Sequence, residues 1–401
     1  MNNVFMNTYH RLPVTFVRGE GSWLFDAAGK KYLDLGSGIA VNCLGHAYPP
    51  LVKAVSEQAA KLNHVCNYYQ SDVSAAFAEK LVEACAKGGM KNVFLANSGA
   101  EANEGACKIA RKYSLRKYGE GRNTIVTLRG SFHGRTITTL AATGQDKFHR
   151  DFGPFTEGFA YIQGGDIDAL DRALDGKKTA GLLIEAVQGE SGIIPQSGEF
   201  IEAAARLCAE RDILLMFDEI QCGMGRTGNF LAFEGYTAGG RQVTADVVTL
   251  AKGMCGGIPA GAVLAGEKTA EVFEPGDHGS TFGGNPLAAA AGIVVLDTVN
   301  EPRFLAEIKR KGEKILDTIR GWKHPAVKEV RGRGLMTGID IRIDAWPLLE
   351  AGVKRADSAA PGLLLLSAGP RTLRLLPPYT VTGAEIDQGL AMIREMLGGE
   401  R

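Results

Sequence analysis

Between Asn92 and Asp218, short apolar runs alternate with stretches whose apolar residues recur every three or four positions. The runs are Asn92–Leu95, Thr124–Leu128, Phe159–Ile162, Gly181–Ile184 and Ile213–Phe217, each about the length of a buried strand. Helical spacing fills intervals between them, from Ala100 onward, from Asp166 to Leu174 and from Glu199 to Arg211. Strands that are reached through helices pair most easily in parallel, so the pattern predicts an α/β fold: a mostly parallel sheet covered by helices. Two further helices, Pro50–Leu62 and Asp72–Cys85, precede it. After Pro286 the character changes. Helices Leu287–Val299 and Pro302–Trp322 lead into strand-like segments at Val327–Ile343, Leu363–Leu366 and Thr372–Leu376, then a closing helix, Thr382–Leu397. Ahead of Pro50 lie strand-like pieces, Trp23–Phe25 and Tyr32–Leu35, and a glycine-rich loop, Gly36–Asn42. The expected division is an N-terminal arm (1–50) that packs with a smaller C-terminal α+β domain (291–401), around a large domain (51–290).

Charge narrows the partners. Lys+Arg and Asp+Glu are both 45, so no excess of positive charge would draw nucleic acid or an anionic membrane. The seven cysteines are scattered and contain no C-x-x-C pair, which argues against a disulfide framework or a metal site and suits a reducing compartment. Met1–Met6 lacks the basic start and apolar core of a signal peptide, and the longest apolar run, Leu287–Leu296, is too short to span a bilayer. A soluble, cytoplasmic protein is expected.

The chemistry is marked where apolar runs end. Ile213–Phe217 delivers Asp218, and Val247–Ala251 delivers Lys252. Open α/β sheets bind ligands outside the carboxyl ends of their strands, so this acid and this amine can share one crevice. Such a pair suits pyridoxal phosphate, which needs an amine for its aldehyde and a carboxylate for its pyridinium nitrogen. Two unrelated surface charges are the alternative. Asn97–Asn103 opens a helix with small residues, where free N–H groups can take a phosphate; Ser98 would also serve as a plain N-cap. In Ser131–Arg135, Phe132 offers a flat face to an aromatic cofactor and Arg135 a fork for a carboxylate, although a loop Phe can simply plug the core. Gly279–Asn285 holds Ser280 and Thr281, which can hydrogen-bond a phosphate or substrate. Glu190 and Arg374 are charges set in apolar surroundings. Two glycine patterns are rejected. Gly223–Gly228 matches G-x-G-x-x-G but does not join a strand directly to a helix, and Gly261–Thr269 resembles a P-loop spoiled by Glu267.

Taken together, Ser98-Gly-Ala-Glu-Ala-Asn103, Ser131-Phe-His-Gly-Arg-Thr136, Asp218-Glu-Ile-Gln221, Gly225-Arg-Thr-Gly228, Leu250-Ala-Lys-Gly253 and Ser280-Thr-Phe-Gly-Gly-Asn-Pro286 resemble the class III pyridoxal-phosphate-dependent aminotransferases of fold type I. The resemblance covers essentially the whole chain. It implies that Lys252 attaches the cofactor and later shuttles a proton, while Asp218 keeps the ring nitrogen protonated. It further implies that Gln221 touches the phenolic oxygen, that Phe132 stacks on the ring, and that Ser98, Gly99 and Ala100 bind the phosphate. Thr281 would reach the phosphate from a neighbouring subunit, making a homodimer with shared active sites.

Within the class, the resemblance is to members that act on N-acetylornithine with 2-oxoglutarate as acceptor, a step of arginine biosynthesis. It implies that Glu190 covers Arg374 in the first half-reaction and releases it for the second. Arg135, helped by Ser280, would hold the donor's α-carboxylate. The arm loop, Ser37-Gly-Ile-Ala-Val-Asn42, carries no tyrosine, which favours an acylated donor. Succinylornithine, succinyldiaminopimelate, ornithine and 4-aminobutyrate are the alternative donors. Glu185-Ala-Val187 departs from the commoner Glu-Pro-Val/Ile of the class. From other classes, a non-catalytic binding protein and a nicotinamide-dependent dehydrogenase are the rivals. The retained Lys252 and Asp218 oppose the first, and the interrupted glycine pattern opposes the second.

Overall fold

A computed structural model of the chain describes residues 4–357 and 360–398. The first three residues of the expected arm and of the Met1–Met6 start, and the last three of the expected small domain, lie outside these. The centre is a seven-stranded sheet in the order Met90–Ala96, Gly261–Gly266, Val247–Leu250, Leu214–Asp218, Thr179–Ile184, Thr124–Leu128, Phe159–Ile162. The last five strands run parallel to one another. Helices Gly99–Tyr118 and Gly198–Arg211 are among those that cover it. Both faces are therefore shielded, and every residue of Thr179–Ile184, Leu214–Asp218 and Val247–Leu250 is buried. Each large aliphatic side chain so placed contributes about 1.5–3 kcal/mol, which outweighs the modest cost of short, low-propensity neighbours.

One strand of this sheet was not legible as a strand. Gly261–Gly266 pairs antiparallel on both sides, between Met90–Ala96 and Val247–Leu250. Its small residues carry little β-propensity, but the position demands them: a Cβ at Gly261 would lie 2.3 Å from the Ser98 carbonyl oxygen. Helix Pro49–Ala59 stops short of the expected Leu62, and Val327–Ile343 resolves into two antiparallel strands, Val327–Arg333 and Met336–Ile341. The turn between these passes through Gly334, at φ 53°.

The two strands join Thr372–Leu375 and Leu366–Ser367 in a second, antiparallel sheet. A third sheet gathers Phe16–Glu20, Trp23–Asp26 and Lys31–Asp34, the last pairing in parallel with Gly362–Leu364. The Gly223–Gly228 pattern forms a turn that packs against the chain around Leu335 and Pro377. Arg226 is fully buried there, donates from Nη1 to the carbonyls of Leu335 (3.0 Å) and Pro377 (2.6 Å), and lies over the Tyr379 ring. Among the described residues, no helix is long and apolar enough to cross a membrane, and no group of three metal-ligating side chains forms.

Candidate active site

Adjacent parallel strands end side by side, so Leu214–Asp218 and Val247–Leu250 bring Asp218 and Lys252 to the same edge of the sheet. Both line one cavity of about 420 Å³. Ser98, Gly99, Ala100, Phe132, Arg135 and Gln221 line it too, so eight residues singled out in the sequence converge on one space. Its size is that of a small-molecule site.

Asp218 is only 3% exposed and is held on three sides. Its Oδ2 accepts from Asn103 Nδ2 (2.8 Å) and faces His133 Nδ1 (2.8 Å), while Oδ1 accepts from the Ile220 backbone N–H (3.0 Å). Asn103 is itself fixed, donating to the His133 carbonyl at 2.7 Å and accepting from the Thr249 hydroxyl at 2.8 Å. The carboxylate therefore cannot rotate away from the cavity. Asn103, His133 and Thr249 were not singled out from the sequence. The available signal was that Asn103 and His133 sit inside motifs already quoted, Asn103 one helical turn after Ala100 and His133 next to Phe132.

Lys252 opens the turn after its strand with φ 41°, a left-handed conformation that costs a lysine about 1–2 kcal/mol and is kept by its packing. Burial pushes its ammonium below the ordinary value, against the opposing fields of Asp218 and Glu190. An amine so placed is readily deprotonated, hence nucleophilic. Glu185, which opens the Glu185-Ala-Val187 segment, also reaches the cavity. It accepts from the backbone N–H groups of Phe132 (3.0 Å) and Gly189 (3.1 Å), and burial raises it to about 7.

Helix Gly99–Tyr118 points its N-terminus into the cavity, with Ser98 as N-cap accepting from the Glu101 N–H at 3.2 Å. Gly99 lets Ile220 pack close, since a Cβ there would lie 2.7 Å from Ile220 Cδ1 and would push that side chain aside. The free N–H groups and helix dipole of this turn favour an anion. Phe132 meets Phe148 edge-on, with ring centroids 5.7 Å apart, and the exposed Arg135 lies over Phe148.

Behind Gln221 stands an ion pair. Arg374, 3% exposed, donates from Nη1 to Glu190 Oε1 at 2.5 Å, to the Gly189 carbonyl at 2.9 Å and to Gln221 Oε1 at 3.2 Å. Burial alone would raise Glu190, but the charge and hydrogen bond of Arg374 outweigh it and hold the carboxyl below the usual range. Ser280 and Thr281 are not brought to this cavity within their own chain. They line a separate concavity with His64, Asn67 and Tyr68, where Ser280 Oγ accepts from Asn97 Nδ2 at 3.0 Å.

The donor set suits pyridoxal phosphate: a helix N-terminus for the phosphate, a fixed buried carboxylate for a ring nitrogen, an aromatic face and a desolvated amine in one space. Comparison with known proteins agrees. The family model for aminotransferase class-III matches residues 4–397. The acetylornithine aminotransferase of Caldanaerobacter subterraneus is 45% identical over 98% of this chain and 96% of its own length, and that of Aquifex aeolicus 43% identical over 98% and 99%. Among solved structures, the ornithine aminotransferase of Toxoplasma gondii, described with pyridoxal phosphate at its active site, superposes with a TM-score of 0.89 at 30% identity, covering 98% of this chain and 92% of its own. The N-acetylornithine aminotransferase of Stenotrophomonas maltophilia does so at 0.80 with 37% identity, covering 97% and 96%. With sheet, cavity and whole-length similarity in agreement, the chain belongs to the class III aminotransferases, enzymes of fold type I that work with pyridoxal phosphate.

Proposed function

We propose that the chain transfers the terminal amino group of N2-acetyl-L-ornithine to 2-oxoglutarate, giving N-acetyl-L-glutamate 5-semialdehyde and L-glutamate, a step of arginine biosynthesis. The observation that carries this is the 2.5 Å contact between Glu190 and Arg374 beside the Lys252 cavity. A guanidinium covered by a movable carboxylate can serve two substrates in turn. Covered, it leaves the inner end of the pocket without a free positive charge, which suits the methylene chain leading to a terminal amine. Uncovered, it offers a bidentate fork to the carboxylate next to the reacting carbon of 2-oxoglutarate. Relatives named acetylornithine aminotransferase share 40–45% of their residues with this chain.

Bound pyridoxal phosphate supplies an aldehyde that takes up amino groups and a pyridinium ring that withdraws electrons. Lys252 Nζ would hold the cofactor between substrates and would take up the proton from the donor's terminal carbon as a general base. Asp218, pinned by Asn103 and His133, supplies the negative charge that keeps the ring nitrogen protonated. The backbone N–H groups at Ser98, Gly99 and Ala100 would bind the phosphate, Phe132 would cover the ring, and Gln221 would meet its oxygen substituent. Arg135, exposed at the cavity mouth, binds the donor's α-carboxylate.

A cytoplasmic homodimer with shared sites is part of the same proposal. Ser280 and Thr281 lie outside their own chain's cavity, beside the exposed Tyr68 (93%) and Phe282 (60%), so they are available to a partner's site. The division into arm (1–50), large domain (51–290) and small domain (291–401) is supported by the parallel pairing of Lys31–Asp34 with Gly362–Leu364. The test is to mix the purified, cofactor-loaded protein with N-acetylornithine and no keto acid, and to follow the visible absorbance of the cofactor. Rapid bleaching supports the proposal. Faster bleaching by free ornithine would move the enzyme to that donor, and an unchanged band with both would sink it.

A further inference from the structure

The loop that carries Glu190 is gripped by the C-terminal sheet at both ends. Arg374, on Thr372–Leu375, holds Gly189 and Glu190. Two strands across, Arg331 reaches the other end from Val327–Arg333, its Nε donating to the carbonyls of Gly192 (2.8 Å) and Ile193 (3.1 Å). Arg331 is itself braced: Nη1 lies 2.8 Å from Glu329 and 3.7 Å from Asp340.

At the second grip the backbone is strained. Ile193 has φ 55°, a left-handed conformation that a β-branched residue rarely adopts, and Gly192 has φ 124°. Ile193 is fully buried against Gly338, where a Cβ would lie 2.8 Å from its own. At Gly192 a Cβ would lie 2.7 Å from Arg331 Nη2. The conformation is therefore imposed from two sides, by the Arg331 bonds and by packing on Gly338. Without Arg331, Ile193 can return to negative φ, and the turn that aims Glu190 three residues upstream changes direction.

We propose that Arg331 is a positioning residue that sets how firmly Glu190 covers Arg374, and so how strongly the enzyme discriminates between donors lacking and donors bearing a carboxylate next to the reacting carbon. This rests on the reading of Glu190 and Arg374 as a switch. It assigns no contact with substrate to Arg331.

The test compares half-reactions of cofactor-loaded enzyme with N-acetylornithine and with L-glutamate, each followed by cofactor absorbance, for wild type, Arg331→Gln, Glu190→Gln and the double variant. Arg331→Gln should lower the ratio of kcat/KM for N-acetylornithine over that for glutamate at least tenfold, as Glu190→Gln should. The double variant should fall no further than Glu190→Gln alone, because both act through one carboxylate. Loss of fold or cofactor would depress both donors together and leave the ratio unchanged. That result, or additive effects in the double variant, overturns the role of Arg331 while leaving the switch standing. A Glu190→Gln variant with an unaltered ratio removes the switch itself. Should Arg331→Gln prove insoluble, Arg331→Lys makes the same comparison, since it keeps the charge beside Glu329 and Asp340 but puts a methylene where Nε–H stands.

Discussion

Removing the charge of Arg374 tests whether its pairing with Glu190 is an energetic link or a mere proximity. Arg374→Met keeps an unbranched apolar stem but deletes Nη1, the one nitrogen that donates to Gly189, Glu190 and Gln221. Breaking a buried pair by deleting one partner costs about 3–5 kcal/mol. The Glu190 side chain retains 24% exposure, so its charge stays partly hydrated and the cost belongs at the lower end, about 3 kcal/mol near neutral pH. The pH dependence has a definite sign. In the wild type Glu190 is held below the usual carboxylate range, so its contribution is present above the unfolded value of about 4.3 and is lost as pH falls through the folded value. In the variant, burial meets less opposition, the carboxyl rises, and protonation relieves it. The gap between the two proteins should be widest above about pH 6 and should narrow toward about pH 4. Urea midpoints at fixed protein concentration across that range measure it. A gap that is constant, or that widens in acid, refutes the reasoning. In the same variant the 2-oxoglutarate half-reaction should slow roughly tenfold to a hundredfold, the value of a charge-assisted hydrogen bond of about 1.5–3 kcal/mol, while the donor half changes a few-fold at most. Equal losses in both halves would remove Arg374 from its assigned role.

Lys252→Ala should abolish steady-state turnover and the covalent attachment of cofactor, read as loss of borohydride-fixed label; turnover at the wild-type rate would end its assignment. Glu219, buried and accepting from the N–H groups of Ala232 (2.7 Å) and Phe233 (3.0 Å), is raised to about 8 by burial. A raised folded value means stability that declines as pH rises from about 4.5 to about 8, so Glu219→Gln should flatten that decline in denaturation midpoints, whatever its own fixed cost. An unchanged slope counts against the shift. Gly261→Ala places a Cβ 2.3 Å from the Ser98 carbonyl, a backbone atom that cannot swing aside. It should cost roughly 1–3 kcal/mol of stability and weaken pyridoxal phosphate binding, measured by titrating resolved enzyme; wild-type affinity would show that the helix start tolerates displacement.

Asp218 and Lys252 were legible because an apolar run that stops at a charge marks where a strand leaves its sheet. The residues that orient Asp218 were not. Asn103 and His133 come from a helix and a loop 115 and 85 positions away, and their convergence on one oxygen is set by how the helix lies on the sheet, which no local pattern records. Gly261–Gly266 escaped for the opposite reason. Its small residues answer to the close approach of Ser98 and to pairing on both sides, not to strand propensity. The strain at Ile193 was equally hidden, since it depends on Arg331 in a distant strand. Ser280 and Thr281 were recognisable as a polar turn, and the expectation that Thr281 serves a neighbouring subunit is matched by its lining a concavity other than its own chain's cavity.

The parallel pairing of Lys31–Asp34 with Gly362–Leu364 has a consequence for how the enzyme is made. A strand near the start of the chain has no partner on that side until nearly the whole chain has left the ribosome. The delay is reinforced by Leu376 donating to the Leu35 carbonyl, Ser37 donating to Leu376, and Tyr379 donating to Cys43. Contacts of such sequence separation form late and slow folding. The large sheet can condense during synthesis, while the arm, and with it the Val41 wall of the cavity, waits for the C-terminal strands. Catalytic competence is thus tied to completion of the chain, and a polypeptide truncated before residue 362 would lack the strand that seats the arm, and with it a closed site.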